Sequence, residues 1–234
     1  MNLEKYRTTI GIERLKAFCD IHKDPCEEYL VEKYIMNIKA SQSLYPILSI
    51  VEVYLRNAID VMLQTIYGED WLEKEIKKQT LLFDYDNNKL QEAVHNLDKK
   101  YGFANVTRGK IIAELNFGFW VNLCSSKYNP KIWTKKNAFR IVFPRFPQGE
   151  KESIAPISKT LIKIKNLRNR VFHYEPIFKN DVTFWEIYDE TIKIINYLPE
   201  GNKDILKRTD NFGPTLVELT KMLLHAMGLN SKKL

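Results

Sequence analysis

The chain has 234 residues, 44% of them apolar and 28% charged, which is enough to bury a sizeable core and excludes a disordered chain. A net charge of +7 points toward a polyanionic partner rather than a cationic one. No apolar run is long enough to span a bilayer, the stretch MNLEKYRTTIGIERLKAF has no apolar signal core, and the cysteines are only Cys19, Cys26 and Cys124, so the expectation is a cytoplasmic protein with no membrane partner and no disulfide framework.

In chain order, Cys19, His22 and Cys26 come first. Their spacing has some likeness to a metal site. No fourth ligand is evident, and Asp20, Asp24, Glu27 and Glu28 mark a solvated stretch, so no metal is expected. After Pro46 the apolar residues Ile47, Ile50, Val51, Tyr54, Ala58, Val61 and Met62 recur at helical spacing, predicting a helix to about Tyr67 that Gly68 ends. Pro46 fits either its first turn or a kink in a longer helix from Glu32. Asp86 or Asn87 is expected to cap the next helix, with Leu90, Ala93, Val94 and Leu97 on its apolar face and Gly102 beyond its end.

The stretch TRGKIIAELNFGFWVNLCSSKYNPKIW reads as a helix broken near Lys127–Pro130, and Pro144, Pro147 and Gly149 mark a connection. A long helix is predicted from near Glu152 to near Tyr174, its stripe formed by Ile164, Leu167, Val171 and Tyr174. DVTFWEIYDETIKIINYL and NFGPTLVELTKMLLHAMGL read as the last two helices, the latter with Pro214 in its first turn and Gly228 as its stop. Strand-like alternation is weak throughout, so the expected fold is an all-α bundle with short connections.

The long helix ends in RNRVFHYEPI, which holds Arg168, Asn169 and His173. With Ile164, Leu167 and Val171 on the buried side, Asn169 and His173 fall on the opposite face, one turn apart, with Arg168 on the flank. An ordinary solvated face accounts for such a set on pattern alone. The same residue types also suit metal-free RNA cleavage. The imidazole titrates near neutrality and can move a proton, the guanidinium can neutralise phosphoryl oxygens, and the amide can orient a phosphate or the imidazole. Arginine and histidine align poorly within one ideal helix, so two facing copies make a better site than one.

RNRVFH matches the R-x-x-x-x-H motif of HEPN-type ribonucleases, with the polar residue that commonly follows the arginine, and YEPI resembles the HEPI ending of the abortive-infection (Abi-like) branch. SQSLYPILSIVEVYLRNAI at 41–59 resembles that branch's first long helix. GEDWL at 68–72, GKIIAELNFGFWVNL at 109–123 and KIW at 131–133 follow in the expected order. Tyr174 departs from the branch, which often has a second histidine there. The resemblance implies a HEPN-like helical bundle with additional helices, a single domain over 1–234. Within it, 1–33 is an N-terminal extension, 34–178 the region of clearest likeness, and 179–234 C-terminal helices. It further implies a metal-independent endoribonuclease without cofactor, acting as a homodimer on an RNA substrate in antiphage abortive infection and restrained by an antitoxin RNA or protein. Arg168, Asn169 and His173 would be its catalytic residues.

Arg170, Arg56, Asn57 and Tyr174 carry a weaker expectation as RNA contacts. Glu52 and Arg56 lie in the favourable order for a helix ion pair, read as structural for Glu52 and open for Arg56. Phe117, Phe119 and Trp120 are expected in the core or a dimer interface rather than stacking bases, and Gly118 is read as a place of close helix approach. Arg108, Lys110, Lys163 and Lys165 are weak candidates for phosphate contacts. His22, His95 and His225 are given no chemistry, and Lys232 and Lys233 are read as a frayed tail. The competing function is a non-catalytic RNA-binding or protein-interaction module of the same fold. A third reading makes Tyr174 a target of nucleotidyl transfer.

Overall fold

The computed structural model describes residues 3–18, 27–78, 80–177 and 184–226. All regular structure among them is helical, with no strand. Cys19, His22, Cys26, Gly228, Lys232 and Lys233 lie outside the described residues.

The central element is α3 (Glu27–Tyr67), one helix of 41 residues that follows the short α1 (Leu3–Ile10) and α2 (Ile12–Lys16). Ala40, Leu44, Ile47, Leu48, Val51, Leu55, Ile59, Met62 and Leu63 recur at three and four along it and are almost wholly buried. Pro46 lies inside this helix, so the longer-helix reading is the right one and the helix begins earlier than Glu32. Val61 is not part of the stripe. It is 53% exposed, because the repeat that the core selects runs through Leu55, Ile59 and Leu63. Gly68 adopts a φ of 97°, open to glycine and strained for other residues, and ends the helix.

Helix α4 (Trp71–Lys78) leads to a turn organised by Glu75, which is 1% exposed. Its carboxylate accepts hydrogen bonds from the backbone N–H groups of Thr80, Leu81 and Leu82 at 3.0, 2.8 and 2.7 Å. A buried charge is tolerated there because donors surround it.

Asp86 and Asn87 do not cap α5 (Asp84–Tyr101); the N-cap position is Phe83 and both residues are buried in the first turn. Asp86 is fully buried and accepts from Asn122 Nδ2 at 2.5 Å, Lys127 Nζ at 2.9 Å and Tyr128 OH at 2.7 Å. The Tyr128 oxygen in turn accepts from Phe83 N–H at 3.1 Å. Burial, reinforced by Asp86, pushes the Tyr128 phenol well above its usual range, so it stays a neutral donor. Leu90, Ala93 and Leu97 are buried as expected, with Val94 partly so.

The next predicted helix has an additional break. Leu115 is extended between α6 (Arg108–Glu114) and α7 (Phe117–Leu123), and Asn116 caps α7 by accepting from Phe119 N–H at 3.0 Å. Phe117, Phe119 and Trp120 are all in the core. A tight 3-10 turn over Ser126–Tyr128 and a wider π-helical turn over Asn129–Trp133 occupy the expected break and lead to α8 (Ala138–Val142). There the carbonyl of Val142 accepts from Tyr54 OH at 3.0 Å; burial pushes that phenol up to about 12.

Helices α9 (Ile154–Phe172), α10 (Phe184–Tyr197), α11 (Glu200–Thr209) and α12 (Phe212–Ala226) complete the bundle. Among the described residues, ten of the other helices pack on α3, and α5 packs chiefly on α4, α6 and α7. No described helix is long and apolar enough to cross a membrane. Helix α3 runs without a break across residues 33 and 34.

Replacing Asp86 with alanine strands the Tyr128 hydroxyl and the Lys127 ammonium beside the core. Such a change is expected to cost roughly 3 kcal/mol of stability, read as a lower urea midpoint at unchanged slope. A midpoint within error of wild type would show that the network contributes nothing.

Candidate functional site

Arg168, Asn169 and His173 sit on the last turns of α9, and the structure explains why the helix ends there. Tyr174 has left the predicted stripe: it lies just past the helix at φ 59°, 72% exposed. Its N–H donates to Val171 C=O at 3.2 Å, and the N–H of Glu175 donates to Arg170 C=O at 2.8 Å. This paired pattern closes a helix through a left-handed residue, normally glycine, and Pro176 prevents continuation.

Two other elements hold the turn. Asn37 of α3, 3% exposed, brackets Pro176: its Nδ2 donates to Glu175 C=O at 3.2 Å, and its Oδ1 accepts from Ile177 N–H at 2.8 Å. Arg14 of α2 donates to the carbonyls of His173 and Tyr174. A cation on the last carbonyls of a helix opposes its negative end. Neither Asn37 nor Arg14 stands out in the sequence, because a lone polar residue in a helix carries no mark of a partner far along the chain.

The three motif side chains are placed differently. Asn169 and His173 are exposed on the face opposite Ile164, Leu167 and Val171, as the helical spacing predicts. Arg168 is held. Its Nε donates to Glu52 Oε2 at 3.0 Å and its Nη2 to Glu52 Oε1 at 3.3 Å, a two-pronged pair with both side chains about three-quarters buried. Its guanidinium lies 4.4 Å from the centre of the Phe172 ring, which in turn lies 6.1 Å from that of Tyr45 on α3. Nη1 makes no hydrogen bond among the described residues.

The expected Glu52–Arg56 pair is therefore replaced. Glu52 reaches across to Arg168, a rigid planar partner on the neighbouring helix, rather than along its own helix. Arg56, one turn on, has a buried Nε with no hydrogen-bond partner. Asn57 is exposed. Arg170 is half-buried, with its Nε 4.0 Å from Glu175 Oε2.

Most of the weaker cationic candidates are occupied in ion pairs or hydrogen bonds. Arg108 binds Asp60 and Glu73 and covers Trp71; Lys110 donates to Asn105 C=O at 2.8 Å; Lys163 pairs with Glu190 at 2.5 Å. Lys165 makes no ion pair among the described residues and faces a surface cavity. Gly118 lies against it, where an added Cβ would come within 3.8 Å of Lys165 Cδ. No cluster of three or more metal-ligating side chains occurs among the described residues.

No family model, no curated protein and no solved structure matches the chain.

Tyr174 carries a left-handed backbone without glycine's freedom. Tyr174→Gly is expected to stabilise the protein by roughly 1 kcal/mol, seen as a higher melting temperature. A loss of stability would mean that the tyrosine ring makes a compensating contact.

Proposed function

We propose that the protein is a metal-independent endoribonuclease of the HEPN type, resembling the Abi-like branch, whose site is completed by a second copy of the chain. The observation that supports this best is the arrangement of the motif. Asn169 and His173 are open to solvent on one face, while Glu52 and Phe172 fix Arg168 beside them.

In this reading the 2′-hydroxyl of RNA attacks the adjacent phosphorus and the bond to the 5′-oxygen breaks. A histidine takes the 2′-proton, and another group protonates the departing 5′-oxygen. One protomer supplies one motif histidine, so a dimer that brings two His173 side chains together supplies both an acid and a base. Arg168 offers Nη1 to a phosphoryl oxygen as charge develops, and Asn169 orients the phosphate or the imidazole. Tyr45, Phe172 and Tyr174 are 55%, 41% and 72% exposed around the motif, an apolar surface suited to a partner protomer. The biological setting that accompanies this reading is antiphage abortive infection in the cytoplasm, with an antitoxin RNA or protein as restraint.

A second reading is a non-catalytic RNA-binding or interaction module. The Glu52–Arg168 pair favours it, because a carboxylate already neutralises the arginine that should meet phosphate.

Cleavage is expected to survive EDTA, to spare DNA, and to leave a 2′,3′-cyclic phosphate or its opened form with a 5′-hydroxyl on the other fragment. His173→Ala and Arg168→Ala are expected to abolish it and Asn169→Ala to weaken it, with helical circular dichroism retained in each. A folded His173→Ala protein that cuts RNA as wild type does would remove the catalytic assignment and leave the binding module.

Light scattering at micromolar concentration is expected to give a dimer. A fully active monomer would rule out the shared site.

A further inference from the structure

We infer that the cavity where α5, α7 and α9 meet holds backbone phosphates of single-stranded RNA whose path continues along α9 to His173; this rests on the ribonuclease reading. The cavity has a volume of about 440 Å³. Lys89 of α5, Lys127 of the turn after α7 and Lys165 of α9 line it, together with Asn116, Asn122 and Ser125. Three separate elements thus bring ammonium groups to one hollow.

The acidic groups beside it are already committed. Lys89 pairs with Glu92 at 2.7 Å, and the buried Asp86 carboxylate is shared among Lys127, Asn122 and Tyr128. Lys127 retains further N–H donors after its bond to Asp86, since an ammonium has three. Lys165 has no acid of its own among the described residues, so one cation remains uncompensated at the cavity wall. The Ser125 hydroxyl is buried and has no hydrogen-bond partner. Tyr85, 64% exposed on the cavity's edge, presents a ring face on which a base can stack.

The cavity is continuous with the motif through one helix. Lys165, Asn169 and His173 follow at intervals of four along α9 and share a face. Lys165 and His173 are about 12 Å apart along the axis, by the rise of an α-helix. A strand anchored at Lys165 is therefore led along the face that carries the proposed catalytic groups.

The test uses the full chain in two forms. For binding, a His173→Ala protein is titrated into a labelled, unstructured single-stranded RNA, read by fluorescence anisotropy at two salt concentrations. Adding Lys165→Glu is expected to weaken binding roughly tenfold and to lower the salt slope by about one phosphate contact. Lys89→Glu is expected to act in the same direction. Lys203→Glu, the same charge change on α11, is the control and is expected to move affinity less than about twofold. For turnover, Lys165→Glu with His173 intact is expected to raise KM and keep kcat, because Lys165 holds the strand away from the reacting bond. Equal losses from Lys165→Glu and Lys203→Glu would show general charge attraction only, and would overturn the cavity. Cleavage by wild type with no effect of Lys165→Glu would overturn the path and leave the ribonuclease reading intact. A parent protein that neither binds nor cuts RNA would overturn both.

Discussion

The fold depends on a single constraint, that α3 must remain one helix across Pro46. Proline removes a backbone donor and crowds the preceding turn, which in an isolated helix would favour a break. Here Leu44, two residues before the proline, and Ile47, directly after it, are wholly buried, and the stripe continues from Ala40 to Leu63 without losing phase. Tertiary packing overrides the local preference because almost every other described helix packs on α3. A break at Pro46 would rotate Asn37 relative to Glu52. The first holds the turn after α9 and the second holds Arg168, so both supports of the motif rely on the same uninterrupted helix.

The candidate site is thus made of two kinds of residue. Asn169 and His173 are exposed and owe their direction to helical phase alone. Arg168 is fixed by contacts that belong to the packing of α9 on α3, an acid on one side and an aromatic ring on the other. A guanidinium held in this way forfeits freedom but gains a defined orientation, so its remaining N–H groups point one way before any ligand arrives. Preorganisation of this kind lowers the ordering cost of binding an oxyanion. The carboxylate also lowers the net positive potential at that spot.

The legible parts of the sequence were those governed by period and punctuation. The stripes of α5 and α9, the ends at Gly68 and Gly102, and the exposure of Asn169 and His173 all follow from local spacing. What could not be read was set by distant partners. Asp86 has the look of a helix cap, an acidic residue ahead of an apolar run, yet Lys127 and Tyr128 far along the chain turn it into a buried anchor. Tyr174 fits the stripe by spacing, but Pro176 and the bonds from Asn37 end the helix before it can join. Glu52 chose between Arg56 and Arg168 on geometry that only the packing of two helices supplies. The likeness to HEPN proteins lies in the same local class of signal, which is why it suggests a chemistry while saying little about what steadies the motif.

The contact between Arg14 and the end of α9 links parts of the chain that sequence alone would keep apart. A short N-terminal helix donates to the carbonyls of His173 and Tyr174, so undocking that helix and loosening the motif's last turn are one equilibrium viewed from two ends. Any molecule that captures the N-terminal segment therefore draws its binding energy partly from the order of that turn, and any ligand that steadies the turn favours the docked segment in equal measure. Helix α2 is in this sense a latch with a thermodynamic claim on the end of α9.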